Sequence, residues 1–194
     1  MTKFATKADI EAINAEQDWH DRGLPKTMYE FTKSVKERHG SRSAVSFQIF
    51  SGPKDHAETL NWAQFHDQSV QTANLLRGLG VGETDAVAYM LPCCNEACLT
   101  LVGGAMAGIA NPVNPLLDAE QIAAILRETN AKVLVTHKSF PKTDVAQKAA
   151  EAVKLAPNVT HVLEIDLLRY VTGLKKFIIP LIRPKNPVSH NAKV

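Results

Sequence analysis

The sequence predicts an α/β fold, a mostly parallel sheet flanked by helices, and three observations carry that expectation. Short β-rich runs alternate with helix start signals from residue 85 to residue 165. One segment, 95–107, is apolar nearly all round, as a helix buried on most sides would be. The length of 194 residues, with 45% hydrophobic and 22% charged residues, suits a folded domain that buries a core without metals or disulfides.

Taken in order, residues 1–26 are a polar N-terminal extension, expected to fray, before the first strong helix cap at Thr27. Thr27 with Glu30 has capping-box spacing and opens the first predicted helix. AVSFQIF at 44–50 and ETLN at 58–61, separated by SGPKDHA, predict a β-hairpin with an irregular loop near 44–61. Asn61 with Gln64 starts the second helix, striped by Trp62, Phe65, Ala73 and Leu76. Gly78, Gly80 and Gly82 follow that helix rather than a strand and lack the G-x-G-x-x-G spacing. They therefore read as a left-handed helix end and not as a phosphate loop.

DAVAYML at 85–91 predicts a buried strand, and Asn95–Ala107 a buried helix that GIANPVNP ends in a short strand or extended loop. Asp118 with Gln121 starts a further helix whose face carries Ile122, Ile125, Leu126 and Thr129; Asp144 with Gln147 starts another. KVLVT at 132–136 and HVLEI at 161–165 supply the strands between, giving βαβ units with right-handed crossovers. The body is therefore 27–166, and 167–194 is a basic tail or insertion, its end also expected to fray. That tail holds Arg169, Lys175, Lys176, Arg183, Lys185 and Lys193 and no acid, so it carries +6 and the rest −4 of a total of +2.

Several function classes lose support. The first twenty residues lack the apolar core of a secretion signal and no apolar run approaches a membrane span, so a cytoplasmic protein is expected; the Asn158-Val159-Thr160 sequon then carries no meaning. Cys93, Cys94 and Cys98 have no neighbouring histidine to complete a zinc set and read as small, reduced apolar residues. The seven histidines form no ligand pair, Ser46, Ser51 and Ser69 sit in no nucleophile elbow, and no Walker motif occurs. The basic residues are not interleaved with stacking aromatics, so no nucleic-acid partner is expected. The stretch GLKKFIIPLIRP within the tail has the ingredients for peripheral contact with an anionic membrane surface, set against a solvated linker with a locally packed FIIPLI.

The run from Leu60 to His137 resembles the N-terminal region of AMP-forming acyl-CoA synthetases of the adenylate-forming, AMP-binding superfamily. LNWAQF at 60–65 is similar to that family's Leu-Thr-Tyr-x-Glu-Leu opening, with Trp62 at the aromatic position and Asn61 as an equivalent cap. Ala107, Gly108, Pro112, Asn114 and Pro115 match its Ala-Gly-x-x-x-x-Pro-Asn-Pro element, and Asn111-Pro112-Val113 departs from the valine-proline pair many members have. The resemblance covers roughly residues 25–165 and implies one N-terminal subdomain of an adenylate-forming enzyme. Trp62, Ala107, Gly108, Asn111, Pro112, Asn114 and Pro115 form the family signature, with a structural role expected.

The resemblance also implies what the parent enzyme does: with ATP and Mg2+ it activates a carboxylic or fatty acid to an acyl-adenylate, and coenzyme A then displaces AMP. The family's phosphate loop, magnesium-binding glutamate, ribose-binding aspartate and mobile-domain lysine all fall beyond Val194 in its order. No catalytic, cofactor-binding or metal residue is therefore assigned to this chain, and none of those cofactors is expected to be held by it alone. The expectation is an N-terminal fragment, inactive in isolation, whose partner is the rest of the synthetase chain. The alternative is a stand-alone non-catalytic module for interaction or membrane-surface binding; an exposed sheet edge would also allow a homodimer.

Overall fold

The computed structural model describes residues 5–52 and 55–183. Helix α1 (Lys7–Glu16) is followed by a 3-10 turn at Trp19–Arg22, then α2 (Met28–His39). Strands β1 (Ser43–Phe47) and β2 (Glu58–Asn61) precede α3 (Trp62–Gly78). Next come β3 (Ala86–Tyr89), α4 (Asn95–Ala107), β4 (Ile109–Pro112), α5 (Ala119–Glu128), β5 (Val133–His137), α6 (Val145–Lys154) and β6 (His161–Ile165). A second 3-10 turn, Leu167–Tyr170, leads to α7 (Lys175–Ile182).

The central sheet has the order β4-β3-β5-β6, with all neighbours parallel. Val87 lies beside Ala110 on one flank and Val133 on the other. Successive side chains of a strand point to opposite faces, and the two cores obey that period. Ala86, Ala88, Leu134 and Val162 pack with Ile122 and Leu126 of α5 and Ala149 and Val153 of α6. Val87, Val133 and Val135 pack on the other face with Ala73 and Leu76 of α3 and Ala107 of α4. Both faces of β3 and β5 are covered, which is why their sequences are continuous apolar runs rather than alternating ones.

The hairpin is a separate antiparallel pair in which Val45 faces Leu60 and Phe47 faces Glu58, with a shift in register between Ser43 and Val45. The Ser46 and Thr59 hydroxyls share a cross-strand hydrogen bond of 2.7 Å. The first strand ends at Phe47, short of the predicted 50: Gln48 lies outside the ladder, and its side-chain Nε2 donates to the Asp55 carbonyl.

Two of the expected capping boxes form in full. The Asn61 side chain accepts from the Gln64 amide at 2.8 Å while Gln64 accepts from the Asn61 amide, and Asp118 with Gln121 does the same. Thr27 caps the Glu30 amide, but the Glu30 carboxylate reaches the amide of Lys26. The predicted box at Asp144 and Gln147 does not form: Asp144 has φ −110° and ψ 10°, caps nothing, and pairs with Lys148 at 3.3 Å.

Two glycines are required by geometry. Gly80 has φ +86° and turns the chain after α3, as the glycine cluster predicted. At Gly108 a Cβ would lie 2.5 Å from the Asp85 carbonyl oxygen and 2.6 Å from that of Gly82, so the end of α4 sits directly on the turn into β3.

The chain outside 27–166 holds more structure than the fraying expected of both ends. Helix α1 has a full capping box between Thr6 and Asp9, although none of its residues is buried. After β6, Leu167, Tyr170, Val171 and Ile179 are buried, which ties that segment to the body. Residues 184–194, with Lys185 and Lys193, lie outside the described residues.

Candidate functional site

The topology itself makes one crevice. After β3 the chain leaves toward α4 on one face, whereas after the adjacent β5 it leaves toward α6 on the other. Neighbouring strands whose exits diverge open a gap at their carboxyl ends, where ligands of open α/β sheets bind. A cleft of about 390 Å3 lies there, between Met90 and Pro92 after β3, His137 at the end of β5 and Phe140 beyond it, and Phe47 and Ile49 of the hairpin segment. Its size is that of a small-molecule site.

His137, the last residue of β5, is only 3% exposed, and its Nδ1 lies 2.8 Å from the Lys138 carbonyl oxygen. A carbonyl can only accept, so Nδ1 carries the proton and Nε2 is left as an acceptor. Burial pushes the His137 imidazole below its ordinary value, so the ring is neutral at pH 7. The cleft therefore offers an apolar wall and one neutral imidazole. Such a lining accommodates an apolar group far better than a phosphate chain.

The wall is held by a polar clasp. Tyr170 packs edge-on against Phe47 with ring centroids 4.8 Å apart, and its hydroxyl donates to Glu96 at 2.6 Å. Arg169 donates to the same carboxylate at 2.6 Å and to Glu58 of β2 at 2.6 Å. Burial and the Glu96 hydrogen bond push the Tyr170 phenol far above its usual range. Burial opposes the Arg169 charge, but Glu96 and Glu58 outweigh it and hold the guanidinium above its ordinary value. Glu96 also sits in the first turn of α4, where the helix dipole favours a negative charge. One residue pair thus links the hairpin, α4 and the turn after β6.

Two other depressions are chemically poorer. Between α2 and α3 a hollow of about 560 Å3 includes Lys36, His66 and Asp67, but Lys36 and Asp67 are already paired with each other and His66 Nδ1 bonds Thr32 Oγ1 at 2.9 Å. A groove of about 520 Å3 runs where α3 and α4 leave Leu163 and Ile165 of β6 partly open. Thr72, Thr100, Lys138 and Glu164 also border it, and Glu96, its other acid, is already engaged by Arg169 and Tyr170.

The cysteines are all free thiols: Cys93 is exposed, Cys98 half-buried and Cys94 buried at the N-cap of α4. Burial pushes the Cys94 thiol up to about 12. It behaves as an apolar residue packed with Ala97, Leu167 and Tyr170.

The signature residues divide sharply. Trp62 opens α3, stacks edge-on against Phe65 with centroids 5.8 Å apart, and donates its amide to the Arg42 carbonyl. Ala107 is buried against β3, and Gly108 makes the close approach described above. Asn111 donates to Thr129 Oγ1 at 3.2 Å, and Pro112 sits on the edge strand β4, where a missing N–H is tolerated. Asn114 accepts from the Leu116 amide at 3.0 Å, forming the turn into α5. Pro115 alone of the seven lines the cleft. His137, Phe140 and the Glu96–Arg169 clasp carry no motif in the sequence; the residue closing a fully buried strand was the signal available for His137.

A parallel sheet flanked by helices, with a crevice at its carboxyl edge, is the architecture of an open α/β domain. Residues 31–179 match the family model described as AMP-binding enzyme, and the chain belongs to that family. It is similar to "Probable acyl-activating enzyme 12, peroxisomal" of Arabidopsis thaliana, 30% identical over 118 residues that cover 60% of this chain and 19% of that protein. It is likewise similar to "Benzoate--CoA ligase, peroxisomal" of the same plant, 32% identical over 120 residues with the same 60% and 19% coverage. The chain thus spans about a fifth of the length of these curated relatives. Among solved structures, the anthranilate CoA ligase AuaEII in complex with anthranoyl-AMP shares the fold with a TM-score of 0.61 at 21% identity, over 73% of this chain and 26% of that one.

Proposed function

We propose that this chain is the N-terminal part of an AMP-forming acyl-CoA synthetase and contributes scaffold and an apolar cleft wall rather than the reacting groups. The observation that carries the reading is the family match across residues 31–179, whose strands β3 and β5 bound the crevice. The names of the relatives, an acyl-activating enzyme and a CoA ligase, support an acid as substrate. Activation in such an enzyme joins the acid to AMP with release of pyrophosphate, and coenzyme A then takes the acyl group.

Within that reaction the residues here do three things. Phe47, Ile49, Met90 and Phe140 exclude water from one side of the crevice, which strengthens every electrostatic interaction nearby. His137 presents a neutral acceptor at the same edge. The Arg169–Glu96 clasp fixes the wall against α4. Anion donors for ATP and the carboxylate for magnesium would come from the remainder of the enzyme, so the 194 residues alone would be inactive.

The test is acid-dependent exchange of pyrophosphate into ATP. Exchange by the natural protein, with none from the 194-residue chain alone, is the expected result. Exchange by the isolated chain would overturn the scaffold assignment, and its absence from the natural protein across aliphatic and aromatic acids would overturn the synthetase reading.

A further inference from the structure

Helix α7 presents an apolar face that none of the described residues covers. Leu174, Phe177, Ile178, Leu181 and Ile182 are 80%, 74%, 52%, 75% and 59% exposed, whereas Ile179 is buried at 6%. The five exposed residues fall at i, i+3, i+4, i+7 and i+8, one continuous stripe on a helix of 3.6 residues per turn. Ile179 lies outside that stripe and anchors the helix to the body, so the stripe faces away from it. A stripe of large aliphatic and aromatic side chains in water marks an interaction surface.

We propose that α7 is an interfacial anchor whose stripe enters the headgroup boundary of an anionic membrane. An eight-residue helix is about 12 Å long against a hydrocarbon core of about 30 Å, so it would lie in the plane of the surface and not cross it. No helix among the described residues is long and apolar enough to cross a membrane.

Charge selects lipid over a protein partner of mixed charge. From Leu167 to Val194 there are six basic residues and no acid. The acids that approach this segment are already engaged: Asp55 with Lys175, Asp166 with Arg183, and Glu58 and Glu96 with Arg169. No acid among the described residues pairs with Lys176, and Lys185 and Lys193 add two further positive charges to the same stretch. An apolar stripe in a stretch of basic residues that holds no acid of its own is the composition that binds anionic bilayers reversibly.

The anchor also stands beside the cleft. Lys175 lies 4.2 Å above the Phe50 ring, one residue beyond Ile49, which lines the crevice. A lipid surface at α7 would therefore meet the molecule close to the carboxyl edge of the sheet.

The experiment is flotation of the natural full-length protein with vesicles of phosphatidylcholine alone and of phosphatidylcholine with phosphatidylglycerol. Binding to the anionic vesicles, weakened by salt, is expected. The pair Phe177→Ser and Leu181→Ser would lower it on the order of a hundredfold at unchanged thermal unfolding. Lys176→Gln would lower binding by a few fold through charge alone. Failure to float with either vesicle, flotation unaffected by the double substitution, or protection of α7 from hydrogen exchange without vesicles would each overturn the proposal. Protection of that kind would mean that a second copy, or further chain, already covers the stripe. Binding is read without acyl activation, so its outcome is independent of the synthetase reading.

Discussion

Arg169 and Glu96, 73 residues apart in sequence, meet at 2.6 Å and close the clasp beneath the cleft wall. Glu96 is the buried member, with its side chain 14% exposed against 52% for Arg169. Removing Glu96 strands the Tyr170 hydroxyl and leaves the guanidinium with Glu58 alone, whereas removing Arg169 leaves Glu96 with one donor and partial access to water. Glu96→Ala is expected to cost about 2–3 kcal/mol and Arg169→Met about 1 kcal/mol or less. Urea unfolding of both variants, and of each combined with Tyr170→Phe, checks the order and the coupling.

Gly108→Ala places a methyl group against two carbonyl oxygens that cannot move without shifting the turn into β3. A loss of about 2–3 kcal/mol is expected. Gly78, at the end of α3, has a helical backbone and open space where a Cβ would lie, with nothing within 4 Å. Gly78→Ala should instead be neutral or stabilise by up to about 1 kcal/mol. Thermal melts of the two variants should move in opposite directions or differ by several degrees.

Burial lowers the imidazoles of both His66 and His137 below the ordinary 6.5. Above that value both states are neutral and nothing is gained or lost. As pH falls through it, the unfolded chain takes up protons before the folded one, so stability declines with pH from about 6.5 downward. The urea midpoint should fall between about pH 7.5 and about pH 5.5, and His137→Gln should flatten that slope. A wild-type midpoint constant over this window would contradict the buried neutral ring.

Thiol chemistry should distinguish the three cysteines. Exposed Cys93 is expected to react first with a disulfide reagent, half-buried Cys98 more slowly, and Cys94, with its thiol pushed up to about 12, only on unfolding. Cys93→Ser should remove the fast phase alone.

Much of the fold was legible because its signals are local. HVLEI at 161–165 is a strand residue for residue, and Asn95–Ala107 is the helix that its unbroken apolar surface required. Asn61 and Asp118 cap as their spacing demands because each is itself extended, with ψ of 170° and 168°. Asp144 has the same spacing but enters from a tight turn, which a sequence pattern does not report. Helix α1 was not legible because Asp9 replaces the usual Glu or Gln of the box and no apolar stripe follows. The site was less legible for a different reason. Its parts, Phe47, Met90, His137 and Arg169, come from four segments that only the sheet order brings together. The signature residues, by contrast, are recognisable in sequence because most of them serve turns and close packing, which constrain residue type locally.

The synthetase reading is tested at its root by the intact mass of the native protein, read beside its pyrophosphate exchange. We expect a mass well above the 21.2 kDa of these 194 residues, together with acid-dependent exchange. A native mass of 21.2 kDa would contradict that reading, and the search would turn to what the cleft and α7 bind.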